Sequence, residues 1–107
     1  MKKYVLAIDQ GTTSTRAILF DNDGNAKYSS VCPVECLYPQ PGWVEQNPLQ
    51  LLISVTNVIT EVMILADTNF DEIDSIGITN QRETTIVWDR QTGQPVYNGI
   101  VWQSRQS

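Results

Sequence analysis

An α/β fold with the element order β-β-β-α-β, followed by a C-terminal hairpin, is predicted by three features of this sequence. Tyr4-Val5-Leu6-Ala7-Ile8 is an almost unbroken apolar run that ends on Asp9, the pattern of a buried central strand. Asp21-Asn22-Asp23-Gly24 is a strong hairpin signal between two further strand-like runs. Asn47-Pro48 then opens a long stretch whose apolar residues recur with the period of a helix.

The elements follow in order. Tyr4 to Asp9 forms the first strand, and Gly11-Thr12-Thr13-Ser14 turns the chain into a second strand, Thr15 to Phe20. Beyond the Asp-Gly turn, Asn25 to Val34 makes a third, antiparallel strand. Pro39-Gln40-Pro41-Gly42 interrupts regular structure. Asn47 suits a helix N-cap, Pro48 the first helical position, and Gln50 a capping box, so a helix is predicted from Pro48 to about Ala66. Leu51, Leu52, Val55, Val58, Ile59, Val62 and Leu65 make its apolar face. Many of these residues are β-branched, which weakens helix propensity, but strands rarely run so long. Ile73 to Thr79 is the fourth strand, with Gly77 allowing a close approach. Thr85 to Asp89 and Gln94 to Asn98 flank Arg90-Gln91-Thr92-Gly93 as a hairpin.

A right-handed crossover sets the fourth strand parallel to and beside the first. Their C-terminal ends then share one edge of the sheet. The turn after Asp9 and the loop after Thr79 meet there, where α/β folds take ligands.

Composition excludes several classes of function. A chain of 107 residues buries one core, not two. Seven Lys and Arg against twelve Asp and Glu give a net charge of −5, with no basic cluster, which argues against nucleic-acid or anionic-membrane binding. No His is present, so the commonest acid–base side chain and zinc ligand are lacking. Cys32 and Cys36, on one strand, would stand roughly 13 Å apart, too far for a disulfide. They read as reduced thiols in a cytoplasmic setting. The apolar run at the N-terminus is too short for a signal peptide or a membrane span.

Two polar clusters carry candidate chemistry. Asp9-Gln10-Gly11-Thr12-Thr13-Ser14 joins a strand-terminal carboxylate to a flexible turn with three hydroxyls. Turn amides and hydroxyls can cradle a phosphate. Asp9 can hold Mg²⁺ directly or through water, and Arg16 can offset phosphate charge. Locally the pattern also fits an ordinary hairpin with a Gly turn. It is neither a Walker A loop nor a dinucleotide fingerprint. The second cluster is Asn80-Gln81-Arg82-Glu83-Thr84, a polar run between apolar strands. Arg82 donates and Glu83 accepts, a pair able to grip two hydroxyls of a polyol, and Trp102 could cover its carbon side. A solvated ion pair and a core Trp are the structural alternatives. Trp43 and Trp88 are candidates for core or subunit contacts.

Ile8-Asp9-Gln10-Gly11-Thr12-Thr13-Ser14 resembles the first phosphate loop of the actin-like ATPase superfamily. Pro41-Gly42-Trp43-Val44-Glu45-Gln46-Asn47-Pro48 is similar to the segment that opens the first helix of the FGGY carbohydrate kinases. Gly77-Ile78-Thr79-Asn80-Gln81-Arg82-Glu83-Thr84-Thr85 and Ile100-Val101-Trp102-Gln103 resemble the glycerol kinases within that family. The resemblance covers the whole chain. It implies an incomplete ribonuclease-H-like (actin-like ATPase) fold, with residues 1–107 as the N-terminal part of the first kinase domain and a second domain elsewhere.

The implied reaction is phosphorylation of glycerol by ATP with Mg²⁺. Asp9 lies at the Mg²⁺ site, Gly11, Thr12, Thr13 and Ser14 at the phosphates, and Arg16 at their β/γ end. Arg82 and Glu83 bind glycerol hydroxyls, and Trp102 packs on the glycerol carbons. The general base is expected beyond Ser107. The resemblance therefore implies that these residues alone are inactive and able to self-associate, and that the full-length kinase is a cytoplasmic homo-oligomer. The alternatives are a related FGGY sugar kinase, or a non-catalytic nucleotide-binding module of the actin-like superfamily.

Overall fold

A computed structural model describes residues 2–81, 84 and 86–101. Its elements are β1 (Tyr4–Gln10), β2 (Ser14–Phe20), β3 (Ala26–Pro33), β4 (Glu45–Gln46), α1 (Pro48–Ala66), a 3₁₀ turn (Phe70–Glu72), β5 (Ile73–Thr79) and β6 (Gly99–Ile100). The main sheet has the order β3-β2-β1-β5. β1 pairs antiparallel with β2, and β2 with β3, while β5 returns parallel to β1 after the α1 crossover. The predicted β-β-β-α-β unit is formed as read.

Pairing sorts the side chains onto two faces, because residues alternate along each strand. Leu6 and Ile8 of β1 stand with Leu19 and Ala17 of β2 on the face that α1 covers. Val58, Val62 and Met63 of the helix close over them, with Ile73 at the start of β5. Thr15 and Ser54 join their hydroxyls at 2.7 Å beneath the helix, so this buried polar pair is satisfied rather than orphaned. Both cysteines are free thiols.

Asn47 caps α1, accepting from the amide of Leu49 at 2.9 Å, one residue before the Gln50 position that a capping box would use. The helix ends on Asp67 in the left-handed region, whose amide and that of Thr68 return to Ile64 and Met63. By length and composition α1 is apolar enough to cross a membrane. One face, however, is taken up by the sheet: Leu51, Ser54, Val58, Val62 and Met63 are buried.

The sheet corrects several expectations. Leu52 and Leu65, assigned to the buried face of α1, are 63% and 53% exposed. The helix lies along β2 and β3, so residues toward its flanks have no described strand beneath them. On edge strand β5, expected to be left uncovered, Ile76 and Ile78 are exposed as expected, whereas Ile73 on the same face is buried. Beside Gly77 the space is open among the described residues, so no close approach explains it. The C-terminal hairpin is reduced to a single bridge, Trp88 with Pro95, across a turn that Gly93 closes at φ +74°. Trp88 is exposed and Trp43 half-buried. A two-stranded ribbon of β4 with β6 was not anticipated, because buried Glu45 and Gln46 carry no apolar alternation.

The cap gives a direct test. Asn47→Ala removes the acceptor for Leu49 and should destabilise the fold by about 1 kcal/mol. Urea denaturation should show a lower midpoint with an unchanged slope.

Candidate functional site

The parallel register of β1 and β5 sets Asp9 beside Thr79, and the antiparallel register of β1 and β2 sets Asp9 opposite Arg16. Thr79, Asp9 and Arg16 therefore form one polar row across three strands, on the face away from α1. All three are exposed. The Thr79 hydroxyl donates to Asp9 Oδ1 at 2.9 Å, fixing the carboxylate against the strand end. Among the described residues the ion pairs are Lys3 with Glu72 and Lys27 with Asp21, so Asp9 and Arg16 share a face without pairing.

The turn from Gly11 to Ser14 follows directly. Its four carbonyls are each bonded within the protein. Gly11 O accepts from Gln10 Nε2 at 3.2 Å, Thr12 O from Gln46 Nε2 at 2.7 Å, Thr13 O from the Val34 amide at 2.9 Å, and Ser14 O from the Gly11 amide at 2.9 Å. Peptide groups are planar and trans, so a carbonyl drawn one way sends the next amide the other way. The inward pull on Thr12 thus turns the Thr13 amide to the opposite side of the turn. Satisfied carbonyls and hydroxyls at Thr12, Thr13 and Ser14 make the turn suited to an anion. Ser14 shares strand parity with Arg16, on the same face as Asp9.

Gly at position 11 avoids a tight contact. A Cβ there would stand 3.1 Å from Ser14 O, the atom that the Gly11 amide already binds. No group of three His, Cys, Asp or Glu able to hold a metal occurs among the described residues. The lone Asp9 is compatible with Mg²⁺, which takes one or two carboxylates and keeps several waters or phosphate oxygens.

Of the residues expected at the site, Asp9, Gly11, Thr12, Thr13, Ser14 and Arg16 come together. Arg82, Glu83 and Trp102 lie outside the described residues. Their chain neighbours Gln81 and Thr84 are described. Gln81 is buried, donates to Gln46 Oε1 at 2.8 Å and accepts from the Thr84 hydroxyl at 3.0 Å. Reading the sequence placed Thr79 and Gln81 near the ligand edge but gave neither of them, nor Gln46, a role of its own. The one available signal was a polar Glu45-Gln46 pair standing between the Pro41-Gly42 turn and the Asn47-Pro48 helix start. Glu45 is also fully buried, accepting from Tyr97 Oη at 2.9 Å and Asn98 Nδ2 at 3.1 Å. The hydrogen bond to that carboxylate, with burial, raises the Tyr97 hydroxyl above its ordinary pKa and keeps it a donor.

Comparison with known proteins gives a consistent picture. Residues 4–107 match the FGGY family of carbohydrate kinases, N-terminal domain. A glycerol kinase of Xylella fastidiosa (strain 9a5c) is 58% identical over 106 residues, which is 99% of this chain and 21% of that protein. The crystal structure of Plasmodium falciparum glycerol kinase with ADP matches 96% of this chain and 21% of its own at a TM-score of 0.86 and 38% identity. A gluconate kinase from Lactobacillus acidophilus has the same fold, with a TM-score of 0.87 at 24% identity over 97% of this chain and 20% of its own. The chain thus spans about a fifth of the length of the relatives it matches. The fold is part of the actin-like ATPase architecture expected from the sequence.

Gly11→Ala should lower stability by about 1–3 kcal/mol, the cost of forcing extra atoms into a closed contact. Thr13→Ala, at an exposed position of the same turn, should stay within about 0.5 kcal/mol of the parent. Thermal denaturation of the two variants side by side checks the pair.

Proposed function

The chain belongs to the FGGY family of carbohydrate kinases, and from that premise we propose that it is the N-terminal part of a kinase that transfers the γ-phosphate of ATP to glycerol. One observation carries the reading: a polar row of Thr79, Asp9 and Arg16 beside a turn whose carbonyls are all bonded within the protein. Such a turn accepts phosphate without carbonyl repulsion, and the row adds one carboxylate and one cation. The names of the relatives at 58% and 38% identity favour glycerol over other acceptors.

In this reading Thr12, Thr13 and Ser14 hold the ATP phosphates through amides and hydroxyls, and Gly11, whose own amide is taken up by Ser14 O, shapes the turn that lets the phosphates approach. Arg16 offsets charge at the β/γ end, and Asp9 holds Mg²⁺ directly or through water, kept in place by Thr79. ATP supplies the phosphoryl group and Mg²⁺ part of the charge neutralisation. Arg82 and Glu83 bind glycerol hydroxyls, and Trp102 packs against the glycerol carbons. Phosphoryl transfer needs little covalent help from the protein, so positioning and charge neutralisation do most of the work. None of the residues assigned here is the base for the acceptor hydroxyl, so this segment supplies the phosphate and acceptor contacts rather than a complete site. Free thiols at Cys32 and Cys36 fit a cytoplasmic setting. Exposed Ile76 and Ile78 on edge strand β5 favour self-association of the isolated chain.

The tests use a protein of the relatives' length that carries this segment. Arg82→Ala should raise the KM for glycerol roughly ten- to a hundredfold, the loss of a charge-assisted hydrogen bond, and leave the KM for ATP nearly unchanged. Unchanged glycerol kinetics, or turnover of a pentulose or sugar acid in preference to glycerol, would overturn the acceptor assignment.

Asp9→Asn should act on the other half of the site. Its kcat should fall by roughly a hundredfold or more while glycerol binding persists. Turnover across a Mg²⁺ titration, with glycerol binding measured separately, checks this. Parental turnover at every Mg²⁺ concentration would remove Asp9 from the cation site.

A further inference from the structure

A line of buried and half-buried side-chain hydrogen bonds connects the phosphate turn to the polar strand end, and the chemistry above makes no use of it. Gln46 Nε2 donates to Thr12 O at 2.7 Å and to Cys36 Sγ at 3.5 Å. Gln46 Oε1 accepts from Gln81 Nε2 at 2.8 Å, and Gln81 Oε1 accepts from Thr84 Oγ1 at 3.0 Å. Gln46 is 0% and Gln81 8% exposed.

The line has a fixed direction. A peptide carbonyl can only accept, so the Thr12 carbonyl requires the nitrogen of Gln46. The Gln46 oxygen then faces Gln81 and requires a nitrogen there in turn. The Gln81 oxygen is left for the Thr84 hydroxyl. Reversing either amide would set oxygen against oxygen or nitrogen against nitrogen in a buried place. Each end of this line bears on one half of the proposed site. At one end it draws the Thr12 carbonyl inward, which turns the Thr13 amide to the other side of the turn. At the other end it holds Gln81 and Thr84, the residues that bracket Arg82 and Glu83 in the sequence.

We infer that Gln46 and Gln81 are positioning residues that hold the phosphate turn and the acceptor-binding strand end at a set spacing. This rests on the assignment of the turn to ATP and of Arg82 and Glu83 to glycerol. Neither glutamine touches a substrate in this account. Each acts by holding backbone that does. In-line transfer is sensitive to the distance between donor phosphate and acceptor hydroxyl. A direct tie between their two supports is therefore where misplacement would be felt.

Gln46→Met and Gln81→Met keep side-chain length and apolar packing while removing the amides. Steady-state kinetics in the full-length kinase should show Gln46→Met raising the KM for both ATP and glycerol, each by about tenfold. Gln81→Met should raise the KM for ATP as well, although it lies on the strand end, because it frees Gln46. The double variant should match Gln46→Met to within about twofold, since the shared bond is already lost. A role confined to stability would instead lower the melting temperature and leave both KM values of the folded enzyme unmoved. That result, or single effects that multiply in the double variant, would overturn the inference.

If Gln46→Met does not fold, Thr84→Val at the less buried end takes its place. It should raise the glycerol KM several-fold, and an unchanged value would count against the line. Arg82→Ala separates the two levels of the argument. If it leaves the glycerol KM unchanged, the acceptor assignment fails, and the positioning role is judged on the ATP effect of Gln81→Met alone.

Discussion

The site depends on the parallel register between β1 and β5. That pairing is not local: the chain passes through β2, β3 and α1 before β5 returns to β1. The return brings Thr79 to Asp9 across 70 residues of sequence, close enough for a 2.9 Å hydrogen bond. A slip of one residue would turn Thr79 onto the helix-covered face and remove Asp9's partner. Ile73 enters the core opposite Tyr4 at the start of β5, and an irregularity in the pairing between Tyr4 and Val5 then shifts the register, so that Thr79 rather than its neighbour reaches Asp9 on the uncovered face.

The two faces of the sheet divide the labour. α1 covers one with Val58, Val62 and Met63, and burial there holds the strands. On the other, the row Gly77, Ala7, Ile18 and Ser29 is mostly small, and the polar row of Thr79, Asp9 and Arg16 lies at its end. The polar groups at the carboxyl end of a central strand stand on a scaffold whose stability comes from the opposite side. Changes in the polar row therefore cost little folding energy, and changes in the core cost much.

How much of this was legible depended on the range of each signal. β1 to β3 and α1 announce themselves through local pattern: an apolar run, an Asp-Gly turn, and an Asn-Pro start to a helical period. The crossover follows from handedness, so Asp9 and Thr79 could be brought to one edge before any coordinates. The exposure of Leu52 and Leu65 could not be read, because periodicity assigns a stripe to a helix without saying where the sheet beneath it ends. β4 and β6 were invisible for a different reason. β4 is held by side-chain bonds of Glu45 and Gln46 to partners far along the chain, β6 by its pairing with β4, and no local pattern records such partners. Gln46 and Gln81 share that property: each looks like surface polarity in sequence and is buried in the fold.

The choice of a neutral amide at position 46 has a physical basis in the two-residue strand that carries it. Successive residues of β4 point to opposite sides, so Glu45 and Gln46 cannot both face the turn. Gln46 faces Thr12, while Glu45 faces Tyr97 and Asn98, which supply the donors a buried carboxylate needs. Exchanging the two would put a carboxylate against the Thr12 carbonyl, oxygen to oxygen, and add negative charge behind a turn suited to an anion. It would also leave Tyr97 and Asn98 facing an amide that can receive their donors only through its single oxygen. The order Glu-Gln thus keeps negative charge off the back of the turn while still placing a carboxylate in the fold. It also gives the Thr12 carbonyl a donor that brings no ionic desolvation cost.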